Sequence, residues 1–252
     1  MNLGYLTDEL SKLLCIKDFP DDYSLNGLQV GNRDAEVRKV AFAVDACLQS
    51  FKEAAKVHAD LLVVHHGLFW GRALAITDTH YERVKTLLDS NLALFACHLP
   101  LDAHPELGNN AQMAKKLGLE NVQPFGEYHG KLIGYMGTLP DELTCPEIVR
   151  QLGIRENEHN VIIHGGRNRN KTVGIVSGGA AEDVSQAIEL GLDAYITGES
   201  LHQKFHECLE NGINMLSLGH YETETFGVKA VMEYVREHYG LEVCFVDIPT
   251  TL

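Results

Sequence analysis

A pattern that recurs at a fixed offset constrains this chain more than any single motif in it. Val173-Gly174-Ile175-Val176 lies 133 positions after Val40-Ala41-Phe42-Ala43, and Asp193-Ala194-Tyr195-Ile196 lies the same 133 after Asp60-Leu61-Leu62-Val63. Both pairs contain short apolar runs of strand length, the pattern of buried strands. Further along the offset is 122, pairing His80 with His202 and His98 with His220, so the first half should carry 11 extra residues, placed in the loop around Trp70. Any two α/β halves align at some offset, but a gap-free match of two strands plus a paired histidine favours duplication. The expected fold class is α/β, with two related βαβαβ-type halves, residues 1–125 and 126–252.

The elements can be placed coarsely. Leu3, Leu6, Leu10, Leu13 and Leu14 recur at helical spacing, and residues 21–31 read as a loop pinned by buried leucines. Strands are expected at 40–44, 61–64 and 92–97, with helices at about 48–57 and 80–89 between them. Residues 67–77, with Phe69 and the single tryptophan Trp70, read as a loop over the mouth of a site. A helix at 109–117 ends before Gly118, which suits a C-cap. The middle is less regular, with strands near 132–138 and 161–164 and a helix near 146–152. Residues 165–171 carry three positive charges, and a solvated hairpin tip is favoured there over a phosphate site.

Chemistry-bearing residues gather at strand ends. The run Leu61-Leu62-Val63-Val64 stops at His65-His66-Gly67, and parallel α/β sheets place their ligands past the carboxyl ends of strands. Neighbours on a strand point to opposite faces, so both histidines share a pocket only if the chain turns there. The next strand ends in His98-Leu99-Pro100-Leu101-Asp102, and His220-Tyr221-Glu222-Thr223-Glu224 opens the last long helix, where residues four apart share a face. His65, His66, Asp102, His220 and Glu224 thus form a candidate ligand set. Three imidazoles and two carboxylates suit zinc, iron, manganese, cobalt or nickel rather than calcium or magnesium. Five protein ligands are too many for one catalytic ion with an open position and about right for two divalent ions, which would make a metal-bound hydroxide available near neutral pH.

Charge narrows the partners. With 21 basic against 35 acidic residues the formal charge is −14, the wrong sign for tracking a phosphate backbone. Nucleic acid is therefore disfavoured, although assembly into a ring would concentrate the few basic residues and salt-sensitive DNA binding would reopen the question. Six cysteines without a C-x-x-C pair read as reduced thiols, no basic and apolar leader is evident, and no apolar run reaches membrane-spanning length, so a cytoplasmic protein is expected.

Val63-Val64-His65-His66-Gly67, His98 to Asp102 with Gly108-Asn109-Asn110, Ile196-Thr197-Gly198-Glu199 and Gly219 to Glu224 together resemble the signature segments of the Nif-three-like proteins, known as GTP cyclohydrolase 1 type 2 or its homologs. The resemblance runs from the N-terminal helix, through Asn26 to Gly31, to the C-terminus. It implies the Nif-three-like fold, with both halves facing a shared dinuclear centre ligated by those five residues and Glu224 touching both ions. It also implies a toroidal homohexamer with sites facing the inner cavity, and a bacterial short form lacking an inserted domain.

The expected function is metal-dependent hydrolysis of a nucleotide-like small molecule. Opening the GTP imidazole ring requires water to add at the carbon between its nitrogens, followed by loss of formate. His98 is a candidate proton shuttle or a partner that orients a ligand, and Glu199, the counterpart of His66, is a candidate base or a hydrogen-bond acceptor. Ser177-Gly178-Gly179-Ala180 follows a strand and would hold an anion or simply make a tight turn. A metal carrier or scaffold without turnover, or a phosphoesterase, are the alternatives.

Overall fold

The structure, a computed structural model, describes residues 1–154 and 160–251. It contains two compact units, Met1–His104 with Val228–Ile248, and Pro105–Gly227 with Pro249–Leu252, whereas the sequence reading divides the chain once, after 125. The reason lies in strand pairing: Glu242–Phe245, near the C-terminus, pairs in parallel with a strand at 39–45 and so returns to the first sheet.

The first unit begins with α1 (Leu3–Leu13), capped by the Asn2 side chain, which accepts from the Tyr5 amide. Leu3, Leu6 and Leu10 form its buried stripe. There follow β1 (Gly27–Val30), β2 (Lys39–Asp45), α2 (Leu48–Lys56), β3 (Leu61–His66), α3 (Asp78–Asp89), β4 (Ala93–Ala96) and the short α4 (Leu99–Ala103). The sheet order is β1, β4, β3, β2, then Glu242–Phe245. β2, β3 and β4 are mutually parallel and almost wholly buried, which is why their sequences are continuous apolar runs. β1 corrects the expectation of a loop over 21–31: three of those residues pair antiparallel with β4, Gly27 facing Ala96, Leu28 facing Phe95 and Val30 facing Leu94, with the register shifting at Gln29.

In the second unit, α5 (Asn109–Lys116) leads into the long hairpin β5 (Glu120–Tyr128) and β6 (Lys131–Leu143), then α6 (Cys145–Leu152), β7 (Val161–His164), β8 (Asn170–Ile175), α7 (Val184–Glu189), β9 (Ala194–Thr197), α8 (Lys204–Asn211), β10 (Asn214–Ser217) and the start of α9 (His220–Tyr239), which from Val228 onward belongs to the first unit. The sheet order is β5, β6, β8, β9, β10, β7, with β8, β9 and β10 parallel. Gly118 follows α5 with φ +64°, the left-handed conformation of a C-cap glycine. The positive segment before β8 corrects the expectation of a hairpin tip, because β7 pairs with β10 while β8 pairs with β6 and β9; its charges are nonetheless partnered, Arg167 with Asp193 at 2.7 Å, Arg169 with the Glu142 carbonyl, and Lys171 Nζ with the Pro140 carbonyl at 2.9 Å.

Strand register supports the duplication. Val40 pairs with Leu61 in the first unit and Val173 with Ala194 in the second, both shifted by 133. The Asp60 carboxylate accepts from the amides of Arg38 and Lys39, and the Asp193 carboxylate accepts from those of Lys171 and Thr172, again 133 apart. The later offset needs correction. Cys97 N donates to Val64 O as Leu218 N donates to Thr197 O, so β4 and β10 are related by 121 rather than 122, and the first unit carries 12 extra residues. They are not all in the Trp70 loop: α3 has 12 residues where α8 has 8, which accounts for four of them.

Candidate functional site

Within the first unit, three imidazoles are held with one ring nitrogen engaged. His65 is fully buried and its Nδ1 donates to the Cys97 carbonyl at 2.9 Å, while His66 turns Nδ1 to Asp45 Oδ1 at 2.8 Å. β3 continues through His66, whose partner in the ladder is Asp45, so the two rings converge without the strand having ended. Their centroids are 4.7 Å apart. Gly67 makes the exit possible, because a Cβ there would meet the Gln29 amide nitrogen at 2.3 Å and the Ala96 Cβ at 2.7 Å.

His98 completes the group. Its Nδ1 is 2.9 Å from Asp22 Oδ1, and its ring lies 5.1 Å from that of His65 and 5.6 Å from that of His66. Asp22 also accepts from Leu99 N and Asn26 Nδ2, and Asn26 Oδ1 accepts from His98 N. Burial pushes the Asp22 carboxyl up, but the His98 bond and the other donors outweigh it and hold it below the usual carboxylate range. An oxygen at each of the three Nδ1 atoms favours the Nδ1–H tautomer, in which Nε2 is the ligand atom, the arrangement by which proteins prepare imidazoles for a metal. His65, His66 and His98 each offer a ligand atom within 4.8 Å of the others. Asp102, buried on α4, brings Oδ2 to 3.4 Å from His65 Nε2. Two acceptors facing each other at that distance call for a proton or a cation between them. The Cys97 thiol is no competitor as a ligand, since burial pushes its pKa well above the ordinary thiol value.

In the second unit, His220 opens α9 with Nδ1 2.6 Å from Glu199 Oε1 and Nε2 3.0 Å from Glu224 Oε1, one helical turn on. Burial alone would lower the His220 pKa, but the bonds and charges of Glu224 and Glu199 raise it to about 9. The ring is therefore protonated at neutral pH in the absence of metal, and a cation can take the place of the proton facing Glu224. Gly178 lies under the pair with φ +70°, and a Cβ there would meet Glu224 Oε1 at 2.3 Å and His220 Nε2 at 3.2 Å. The 177–180 turn is tied down by its own bonds, Ser177 N to Asn110 Oδ1 at 2.7 Å and Gly178 N to Thr223 Oγ1 at 3.1 Å. Those two amides are committed to protein acceptors, which favours the tight-turn reading over an anion site.

Of the residues singled out from sequence, His65, His66, Asp102 and His98 thus meet in the first unit, and His220, Glu224 and Glu199 in the second. Glu199 is the acceptor that orients His220. Asp22, Asp45 and Asn26 were not singled out as site residues. Asp45 carries a readable signal, a carboxylate at the end of a buried strand, whereas Asp22 and Asn26 lie in a loop whose contact with His98 spans 76 and 72 positions.

The donor set of each unit suits a borderline transition-metal ion. Comparison with known proteins agrees with the fold and with the resemblance carried by the motifs. The model of the family Duf34/NIF3 (NGG1p interacting factor 3) matches residues 1–251. A protein of Deinococcus radiodurans called GTP cyclohydrolase 1 type 2 homolog is 46% identical over 244 residues, 96% of this chain and 92% of the relative. One of the same name from Archaeoglobus fulgidus is 46% identical over 252 residues, the whole of both chains. The crystal structure of the protein TTHA1606 from Thermus thermophilus superposes with a TM-score of 0.90 at 39% identity, covering all of both chains. The chain is therefore a member of the Duf34/NIF3 family, built from two related α/β halves.

Proposed function

We propose that His65, His66 and Asp102 of the first unit and the His220–Glu224 pair of the second together hold two divalent ions, and that the protein is a hydrolase of a nucleotide-like small molecule. The observation that carries this reading is that His65, His66 and His98 each offer a ligand atom within 4.8 Å of the others, while each Nδ1 is already turned to a protein oxygen. His65, His66, Asp102, His220 and Glu224 would be the ligands in this reading. Ions held there would act as Lewis acids and lower the pKa of coordinated water from about 15.7 towards about 7.

The protein's own residues supply the rest. Asp45 and Glu199 orient His66 and His220 and raise their basicity as ligands. His98, with Asp22 behind its Nδ1, is the proton shuttle: the carboxylate would stabilise the imidazolium formed when Nε2 takes up a proton. The name shared by the relatives directs the choice of reaction to ring opening of a purine nucleotide, with formate as the product that identifies it. A toroidal homohexamer in the cytoplasm remains part of the proposal, to be checked by light scattering on the purified protein. Among the described residues no helix is long and apolar enough to cross a membrane.

The test is a screen of metal-loaded protein against GTP, other nucleotides and simple phosphoesters. Formate release that is lost in His98→Ala supports the reading. Phosphate release would place the chain among phosphoesterases. Two bound ions with no product from any of these substrates would overturn the hydrolase reading in favour of a metal carrier.

A further inference from the structure

Beside the imidazole group, and wholly within the first unit, lies a cleft of about 530 Å³ between the 16–26 segment and the 69–74 segment. The volume is in the range of small-molecule sites. The two segments are joined by an antiparallel bridge between Ser24 and Trp70 and by the Leu25 amide donating to the Phe69 carbonyl at 3.0 Å. Asp22 lines the cleft and also holds His98, while the Trp70 ring lies 5.8 Å from His66 and 5.0 Å from His98. The cleft and the imidazoles therefore share walls.

Its lining is aromatic with one cation. Phe19, Tyr23 and Phe69 contribute rings, Leu74 an aliphatic edge and Arg72 an exposed guanidinium that makes no ion pair among the described residues. The acid of the lining, Asp22, has both oxygens occupied by His98, Asn26 and backbone amides, so it does not neutralise Arg72. Ser24 is 5% exposed, and its hydroxyl has no hydrogen-bond partner. A buried hydroxyl without a partner is destabilising, and a small χ1 rotation lets a ligand acceptor relieve it. In a chain of formal charge −14, an arginine without an ion pair in a lining that also carries aromatic side chains selects a flat ring that bears an anion.

We infer that this cleft binds a planar heteroaromatic ring bearing a phosphate, with Arg72 on the phosphate and Ser24 recruited as a hydroxyl donor. The inference gives the proposed nucleotide-like substrate a binding place, with Arg72 and Ser24 as its recognition groups, and rests on the hydrolytic reading only for its catalytic meaning. Binding itself does not require metal.

Trp70 is the single tryptophan and sits between two lining residues, so its emission reports the cleft directly. Metal-free protein is titrated with GMP, and with guanosine as the uncharged control. Saturable quenching by GMP is expected, with guanosine at least about tenfold weaker. Arg72→Gln should weaken GMP by about tenfold or more without changing guanosine, and Arg72→Lys should restore part of the loss. Ser24→Ala should weaken GMP several-fold while leaving the unfolding midpoint unchanged or raised. Absence of saturable quenching, or equal GMP affinity in Arg72→Gln and the native protein, would overturn the assignment. Because the titration omits metal, its failure would leave the metal reading standing, and failure of that reading would leave this binding intact.

Discussion

The two halves keep the same sheet ladder and the same aspartate clamp, yet solve the problem of holding an imidazole in opposite ways. At the end of β2 the first half has Asp45, which holds His66 from the neighbouring strand. Shifted by 133, the place of Asp45 falls to Gly178 and that of His66 to Glu199, and the second half instead takes its imidazole from His220 at the start of α9. The acid–imidazole distances are alike, 2.8 Å and 2.6 Å. The polarity is reversed: the acid comes from the second position of the motif and the vacated first position becomes glycine because Glu224 occupies the space of a Cβ. Duplication fixed the backbone through the hydrogen-bond ladder, and the side chains at the strand ends were then free to diverge into complementary donor sets.

The sharpest way to break this comparison is Gly178→Ala. The new methyl would collide with the buried Glu224 carboxylate at a left-handed backbone position, so a loss of about 3 kcal/mol is expected in denaturant titrations. Asp45→Ala, at the equivalent place, opens space and should cost far less in stability. A loss similar to that of Gly178→Ala would show that the two positions are not alternatives.

The acid–imidazole pairs give the next effect. Asp45→Asn and Glu199→Gln should each weaken metal affinity by about 10- to 100-fold in competition with a chelator. Equal losses sharpen the comparison, and a loss in only one half breaks it.

The clamps should differ least. Asp60 accepts from two backbone amides, whereas Asp193 accepts from two amides, the Thr172 hydroxyl and Arg167. Asp193→Asn should therefore cost about 2 kcal/mol and Asp60→Asn about 1 kcal/mol. Burial pushes the Asp193 carboxyl up, but those donors outweigh it and its pKa is lowered from 3.8. A lowered folded value means that the stabilisation is complete above 3.8 and is lost as pH falls through the lowered value. Thermal melts from about pH 5 down to about pH 2 should show that acid-side loss reduced in Asp193→Asn.

The parallel strands β2, β3, β4, β8 and β9 were legible because burial on two faces leaves continuous apolar runs, and the repeat was legible because register copies side-chain patterns without gaps, whereas β10, Asn214-Met215-Leu216-Ser217, has polar ends and was not marked as a strand. β1 was not, since four half-buried residues between Asn26-Gly27 and Gly31 look like turn chemistry. β5 was missed because most of its residues are exposed and no alternation marks a face. The histidines stood out by position, at the end of an apolar run. Asp22 and Asn26 could not, because the loop that carries them meets His98 only through tertiary packing. The one-residue slip in the second offset arose from matching histidines rather than strands: the ladder aligns His98 with Gly219, and His220 falls one place later.

The most direct test of the account is titration of metal-free protein with Zn²⁺ by calorimetry, native against Glu224→Gln. The account predicts two ions per chain in the native protein and at most one in the variant, although every imidazole of the first half is intact. Fewer than one ion in the native protein, or two ions with unchanged affinity in the variant, would contradict it.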